Sequence, residues 1–301
     1  MKKALFVINP SSGKQNIMST IEEIIAKLVM KQMVNHIDVF YTQKKDDAKI
    51  HVQGLMPGEY DFVVAVGGDG TLNEVVSGLY LSKSDIPLAI ISAGTVNDFA
   101  TYLQLPQTPD KFVEMIEQFT IKEVDLGKVD NEYFINVLAG GLLTDIAYKV
   151  PKDHKAVLGK FAYYLEGAIE LPKQMIGPKL KLRFESEELT DTMEALVFLI
   201  TNSKSVGGFD KAAPEASVSD GYLDVLVLKK VTLLNTPELL FKALTAEHHN
   251  HPDIEYFQTK KIRIELVEGE DVAIDYDGEF LEDGLPIEVS IIEKAVKVII
   301  P

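Results

Sequence analysis

Residues 62 to 74 read Phe62-Val63-Val64-Ala65-Val66-Gly67-Gly68-Asp69-Gly70-Thr71-Leu72-Asn73-Glu74. An unbroken apolar run of that length is the pattern of a strand buried on both faces, as in a parallel sheet. The glycines that follow permit a sharp turn and let a ligand come close to the backbone. From Thr71 to Leu81 the chain is amphipathic, which predicts a helix. Strand, glycine turn and helix start, in that order, present amide N–H groups suited to phosphate. A carboxylate in such a loop repels phosphate unless a divalent cation lies between them, so Asp69 predicts Mg2+. The bland alternative is a tight strand-to-helix turn with Asp69 or Thr71 as the helix N-cap.

Around this stretch, apolar runs alternate with amphipathic ones over the first 125 residues: Ala4 to Ile8 then Ile17 to Met33, Ile37 to Tyr41 then Asp46 to Leu55, and Leu88 to Ile91 then Asn97 to Leu103. The alternation predicts an α/β domain with a mainly parallel sheet. Beyond Asp125 the rhythm becomes strand-rich, at Tyr133 to Leu138, Leu180 to Glu185, Glu194 to Thr201, Leu223 to Leu228, Ile262 to Glu268, Val272 to Tyr276 and Ile287 to Ile292. Helical stretches fall around Gly159 to Lys173 and Leu233 to Glu247. The expected C-terminal domain is therefore β-rich, an antiparallel sheet or sandwich. The expected division is 1–125 and 126–291, with a last strand at about 292–301 that could return to the first domain.

Composition narrows the chemistry. Without cysteine there are no disulfides, thiolate nucleophiles or Cys-based zinc sites. A formal charge of −16 argues against a general nucleic-acid binder, which needs a cationic face. No apolar run approaches the roughly 20 residues that span a bilayer, and the start lacks a secretory-signal pattern. A cytoplasmic chain is the default expectation. One local window runs against the acidic average: from Tyr148 to Arg183, eight basic residues stand against three acidic ones. A basic helix there could lie on a membrane surface, but a helix covering its own sheet is the commoner use of such a pattern. His248-His249-x-His251 lacks a spaced acidic partner and reads as a solvated turn rather than a metal site.

Two more polar loops end apolar runs. Ser92-Ala93-Gly94-Thr95-Val96-Asn97-Asp98-Phe99-Ala100 follows the fourth run, and Asn9-Pro10-Ser11-Ser12-Gly13-Lys14 follows the first. Ligands of open α/β sheets bind beyond the carboxyl ends of the strands, so the three loops can line one edge. The spaced Gly-Lys-Ser/Thr of a Walker site is absent.

Gly67 to Glu74 together with residues 94 to 100 resembles the catalytic domain of diacylglycerol kinases and their bacterial lipid kinase relatives. The first motif alone is shared with NAD kinases. Ala213 to Val225 and Asp277-Gly278-Glu279 extend the resemblance, which runs from Asn9 to Pro301. Val96 and Thr101 depart from the commonest pattern, where glycine and arginine are frequent. The resemblance implies a lipid kinase that moves the ATP γ-phosphoryl to a lipid hydroxyl, most simply that of diacylglycerol. It implies an ATP site of Asn9, Pro10, Ser11, Ser12, Gly13, Lys14, Thr42, Gly67, Gly68, Asp69, Gly70, Thr71, Leu72, Asn73 and Thr95. Asp125 would join an acidic centre, and Glu279 would take the proton of the acceptor hydroxyl, with Asp69 as the competing base. Ser217, Asp220 and Tyr222 would hold a structural Mg2+, Ser217 and Tyr222 through their carbonyls. The implied partners are ATP and a lipid at the membrane surface, with peripheral membrane association and no nucleic acid; a homodimer is left open. The rivals are a kinase of a soluble substrate, as in NAD kinases, and a nucleotide-binding regulator without turnover.

Overall fold

The computed structural model describes residues 1–12, 17–94, 96–141, 180–205, 213–229, 242 and 251–301. The predicted helices around Gly159 to Lys173 and Leu233 to Glu247, most of the basic window, His248 and His249 lie outside these residues. The chain divides into two compact units, Met1–Asp125 with Lys294–Pro301, and Leu126–Glu293.

The first unit is built from β1 (Lys2–Ile8), α1 (Ile17–Met30), β2 (Val34–Tyr41), α2 (Asp47–Gln53), β3 (Phe62–Gly67), α3 (Asp69–Ser82), β4 (Leu88–Ser92), α4 (Asp98–Tyr102), α5 (Pro109–Gln118) and the start of β5 (Thr120–Val129). All residues of β3 are buried, as its unbroken apolar run requires. The strands pair in parallel in the order β2-β1-β3-β4. The chain thus winds outward from β1 in one direction to β2 and in the other to β3 and β4. Such an order has its switch point between β1 and β3, where the loops at their carboxyl ends diverge and leave a crevice for a ligand.

Several boundaries differ from the sequence reading, each for a local reason. Helix α1 stops at Met30 rather than Met33, because Gln32 takes a left-handed φ of 56°. The Met33 and Gln32 N–H groups then donate to the Leu28 and Val29 carbonyls, which closes the helix end and starts β2 at Val34. Helix α5 was not anticipated. Its signals are Pro109 at the helix start and the stripe Phe112, Val113, Ile116, all buried.

The second unit contains the end of β5, then β6 (Glu132–Phe134), β7 (Val137–Gly141), β8 (Lys181–Ser186), β9 (Thr190–Thr201), β10 (Leu223–Lys229), β11 (Ile254–Thr259), β12 (Lys261–Glu268), β13 (Ile274–Tyr276), β14 (Glu279–Phe280) and the first half of β15 (Ile287–Ile300). The pairings among them are antiparallel. Strand β9 serves two sheets. Its first half pairs with β8, and its second half lies between β7 and β10. Phe134, Phe184, Phe198, Ile264 and Val289 belong to the core they share, with Phe184 and Phe198 edge-to-face at 6.1 Å.

The stretch read as one strand from Tyr133 to Leu138 is broken into β6 and β7, because the amides of Ile135, Asn136 and Val137 turn to a carboxylate instead of a ladder. Strands β11 and β14 were not anticipated, and the stretches read as Ile287 to Ile292 and about 292–301 form one strand, β15. Lys294 explains the length of β15: its left-handed φ of 52° kinks the strand, which pairs with β12 before the kink and, through Val298 and Leu88, with β4 after it.

Candidate active site

In the first unit, helix α3 ties the carboxyl-end loops together. Thr71 Oγ1 accepts from Asn9 Nδ2–H at 3.0 Å, which fixes the loop after β1. Asp69 Oδ2 accepts from the Asn97 N–H at 3.1 Å, which fixes the loop after β4. Glu74 accepts from the N–H groups of Asp46 at 3.0 Å and Ala48 at 3.1 Å, which fixes the segment after β2. Three carboxylate or hydroxyl groups within two turns of one helix therefore hold three loops.

The glycines make this approach possible. A Cβ on Gly94 would stand 2.7 Å from the Gly68 Cα, and one on Gly67 would stand 2.5 Å from the Thr71 Cβ. Only bare backbone fits. Asn97 completes the clasp from a left-handed φ of 55°, its Oδ1 accepting from the Gly94 N–H at 2.9 Å and its Nδ2–H donating to the Gly94 carbonyl at 2.8 Å. Asn tolerates that conformation better than most residues. On the β1 side, Asn9 Oδ1 accepts from the Ser11 N–H at 2.9 Å, and Ser12 Oγ donates to the Asn9 carbonyl at 2.8 Å. Thr42 directly follows β2 and its N–H donates to the Ile8 carbonyl at 2.9 Å. Asn9, Thr42, Gly67, Gly68, Asp69 and Gly70 thus share the carboxyl-end edge; Pro10 and Ser11 are exposed there, and Leu72 and Asn73 are buried in α3. Gly13, Lys14 and Thr95 lie outside the described residues.

Asp125 is buried and its Oδ1 accepts from the Lys294 N–H at 2.7 Å, at the kink of β15. That bond gives it a structural task in the first unit, pinning a left-handed residue.

Glu279 belongs to the second unit. Asp277 and Gly278, with φ of 47° and 91°, form the two-residue turn between β13 and β14, and Tyr276 pairs with Glu279 across it. Both positive values are those of a type I′ hairpin. The Asp277 carboxylate accepts from Ile135 N–H at 2.6 Å and from the Asn136 and Val137 N–H groups at 3.0 Å each. Behind it lies a buried polar set: Asn202 Nδ2–H donates to the Ile135 carbonyl at 3.0 Å, and Ser203 Oγ to Asn136 Oδ1 at 3.0 Å. Glu279 therefore projects from a turn whose base is anchored at three amides. Sequence reasoning treated Asp277, Glu74 and Asn97 only as members of motifs.

The loop of Ser217, Asp220 and Tyr222 precedes β10. Asp220 is exposed, and its Oδ1 accepts from the Tyr222 N–H at 3.0 Å. Nearby Asp224 is buried against Tyr256 and Gln258. Burial pushes its carboxyl up to about 6, with Asp220 and Glu215 adding to the rise against the hydrogen bonds from Tyr256 and Gln258. The field here is negative.

Among the described residues, no three His, Asp or Glu side chains are grouped to hold a metal unaided. Mg2+ does not need such a cage, since it commonly takes one or two carboxylates together with phosphate oxygens and water. The oxygen donors at Asp69 and in the Ser217–Tyr222 loop are of the type it takes.

A switch-point edge of glycine loops with an acidic helix start suits a phosphorylated ligand, and comparison with known proteins supplies the family. Residues 3–129 match the family model described as diacylglycerol kinase catalytic domain, and residues 144–300 match one described as YegS C-terminal NAD kinase beta sandwich-like domain. A diacylglycerol kinase of Staphylococcus epidermidis is 33% identical over 300 residues, covering 100% of this chain and 92% of that protein. One from Staphylococcus saprophyticus is 34% identical over 279 residues, covering 93% and 89%. A crystal structure of a diacylglycerol kinase from Bacillus anthracis superposes with a TM-score of 0.81 at 26% identity, covering 99% of this chain and 97% of that one. The chain belongs to the diacylglycerol kinase family, and by that membership is an ATP-dependent kinase.

Proposed function

We propose that this chain transfers the γ-phosphoryl of ATP to a hydroxyl of a membrane lipid, with diacylglycerol as acceptor and phosphatidic acid as product. The observation that carries the reading is the clasp at the carboxyl-end edge of the first unit, where Asp69 stands on the first turn of α3 beside the bare backbones of Gly67, Gly68 and Gly94. Backbone amides and glycines accommodate a polyphosphate, and Asn9, Ser11, Ser12, Gly13, Lys14, Thr42 and Thr95 complete the nucleotide contacts in this reading. When bound, Mg2+ supplies charge neutralisation on the phosphates. Asp69 would hold it, and Ser217, Asp220 and Tyr222 would hold a second ion in the negative field around Asp224.

The acceptor oxygen attacks the γ-phosphorus in line, the bond from phosphorus to the ADP oxygen breaks, and the hydroxyl proton passes to Glu279. Such a transfer asks for positioning and charge neutralisation rather than covalent help, so one carboxylate base suffices. The anchored hairpin of Asp277 supports giving that role to Glu279. Among the described residues no helix is long and apolar enough to cross a membrane; a lipid acceptor would then be met by peripheral association.

The test is incubation with labelled ATP and Mg2+ in three arms: vesicles containing diacylglycerol, vesicles of total membrane lipid, and NAD. Label in phosphatidic acid in the first arm is the expected result. Label in NAD alone, or in a different lipid of the second arm and none in the first, would overturn the choice of acceptor. The Asp69→Asn variant should lose turnover while keeping the fold.

A further inference from the structure

We propose that Glu74 is a positioning residue for the nucleotide, acting on Thr42 through the start of helix α2. The inference rests on the reading of Thr42 as an ATP contact. Helix α2 has no side-chain cap of its own: Asp46 occupies the cap position in a left-handed conformation, φ 66°, and makes no capping bond. The orphan amides at a helix start need a partner. Glu74 supplies it from another helix, with its two oxygens divided between the Asp46 and Ala48 N–H groups and a further bond from the Lys49 backbone.

Two features make this contact specific. Glu74 is half-buried, and burial pushes its carboxyl upward while the backbone bonds pull it down; a desolvated carboxylate in such a place is costly unless its bonds are made. One turn later Gly78 leaves no room, since a Cβ there would lie 2.8 Å from the Lys49 carbonyl and 2.9 Å from the Val52 Cβ. Glu74 and Gly78 are four residues apart and face α2 together. The helix is seated on α3 by one and held at its start by the other.

The link from α2 to Thr42 is equally short. Asp47 Oδ2, on the first residue of α2, accepts from the Gln43 and Lys44 N–H groups at 2.8 and 3.0 Å. The backbone just after Thr42 is thereby bound to the helix that Glu74 holds, while the Thr42 N–H is bound to β1. Thr42 is gripped from both sides. Since the same helix α3 sets Asp69 at the phosphate edge, Glu74 fixes the distance between the two parts of the nucleotide site.

The experiment is steady-state kinetics of Glu74→Gln, Thr42→Val and the double variant, with Tm recorded for each. A glutamine can accept from only one side and turns an NH2 toward an amide. We expect the KM for ATP to rise about tenfold in Glu74→Gln, the scale of a lost hydrogen bond to a charged group, with kcat and the KM for lipid nearly unchanged. Added to Thr42→Val, the substitution should raise KM little further. A silent Thr42→Val overturns the placement of Thr42 in the ATP site, and the inference with it. An effective Thr42→Val beside a silent Glu74→Gln, or effects on KM that simply add, overturns the inference alone. A fall in Tm with no change in the KM for ATP does the same, reducing Glu74 to a structural cap. If Glu74→Gln does not fold, Asp47→Asn loosens the same segment without touching α3, and a rise in the KM for ATP again is expected; its absence overturns the proposal.

Discussion

Replacing Gly94 by alanine should separate the two glycine loops of the first unit. The added methyl would stand 2.7 Å from the Gly68 Cα and 2.7 Å from Asn97 Oδ1, where carbon atoms in ordinary contact need about 3.5–4.0 Å. The Gly68 Cα is backbone and cannot rotate away, so the loop must move by about an ångström. Overpacking of this kind costs about 1–3 kcal/mol. Movement of the loop also strains the paired bonds between Gly94 and the Asn97 side chain, worth about 0.5–1.5 kcal/mol each. Together these give a loss of about 2–4 kcal/mol in the first unit and a raised KM for ATP. The protein has no tryptophan, so unfolding is best followed by circular dichroism in urea, with hydrogen exchange at β3 and β4 reporting on the first unit. Gly68→Ala should be milder, since its Cβ would lie 3.2 Å from the Gly94 Cα. Gly54→Ala is the control: its φ is −76° and the nearest atom would lie 3.4 Å away, so stability should change little. A Gly94→Ala protein as stable as Gly54→Ala would refute the close approach of the two loops.

Other outcomes can be checked independently. Asp277→Ala strands the amides of Ile135, Asn136 and Val137, at a cost of about 3–5 kcal/mol in the second unit, visible as faster hydrogen exchange at β7 and β13; unchanged exchange there would contradict the anchoring role. Glu279→Gln should lower kcat by about 10²–10⁴-fold at constant ATP affinity, and full activity would leave Glu279 as a hairpin residue only. His51 stacks on Phe40 at 3.9 Å, and burial lowers its pKa below 6.5, against a smaller upward pull from Glu59. The neutral ring is therefore the one that stabilises the fold: its contribution is present above pH 6.5 and lost as pH falls through the lower folded value. Tm should fall more between pH 8 and 5 in the wild type than in His51→Phe, and parallel curves would dismiss the effect. Asp220→Ala should reduce the gain in Tm from added Mg2+, whereas equal gains in both proteins would argue against an ion at that loop.

The fold was legible where burial writes itself into local pattern. Phe62 to Val66 is apolar throughout because both its faces are covered, and the two glycines after it leave room for the Thr71 side chain, at Gly67, and for the Gly94 backbone, at Gly68. The antiparallel character of the second unit was readable from its short strands. What escaped was of two kinds. Helix α5 carries its signals locally, in Pro109 and the stripe of Phe112, Val113 and Ile116, and was passed over, whereas strand β11 carries a weak one, having mostly half-buried residues. The carboxylates that organise the site were illegible for a different reason: the amides that Glu74 and Asp277 accept from lie 26–28 and 140–142 residues away in sequence. No window of residues contains both partners. The same holds for Asp125, whose bond to the Lys294 amide spans 169 residues.

That long span has a consequence for how the protein is made. The sheet of the first unit gains residues of β15 beside β4 only when Lys294–Pro301 have left the ribosome. All of Leu126–Glu293 is synthesised in between, which at about 5–20 residues per second takes roughly ten to thirty seconds. Until then Leu88, at the start of β4, lacks its β15 neighbour, and an apolar strand edge of this kind can recruit other chains. The first unit is thus finished only after the second has been synthesised, and a chain truncated before Lys294 would keep every residue of the second unit while leaving the first one unfinished and adhesive.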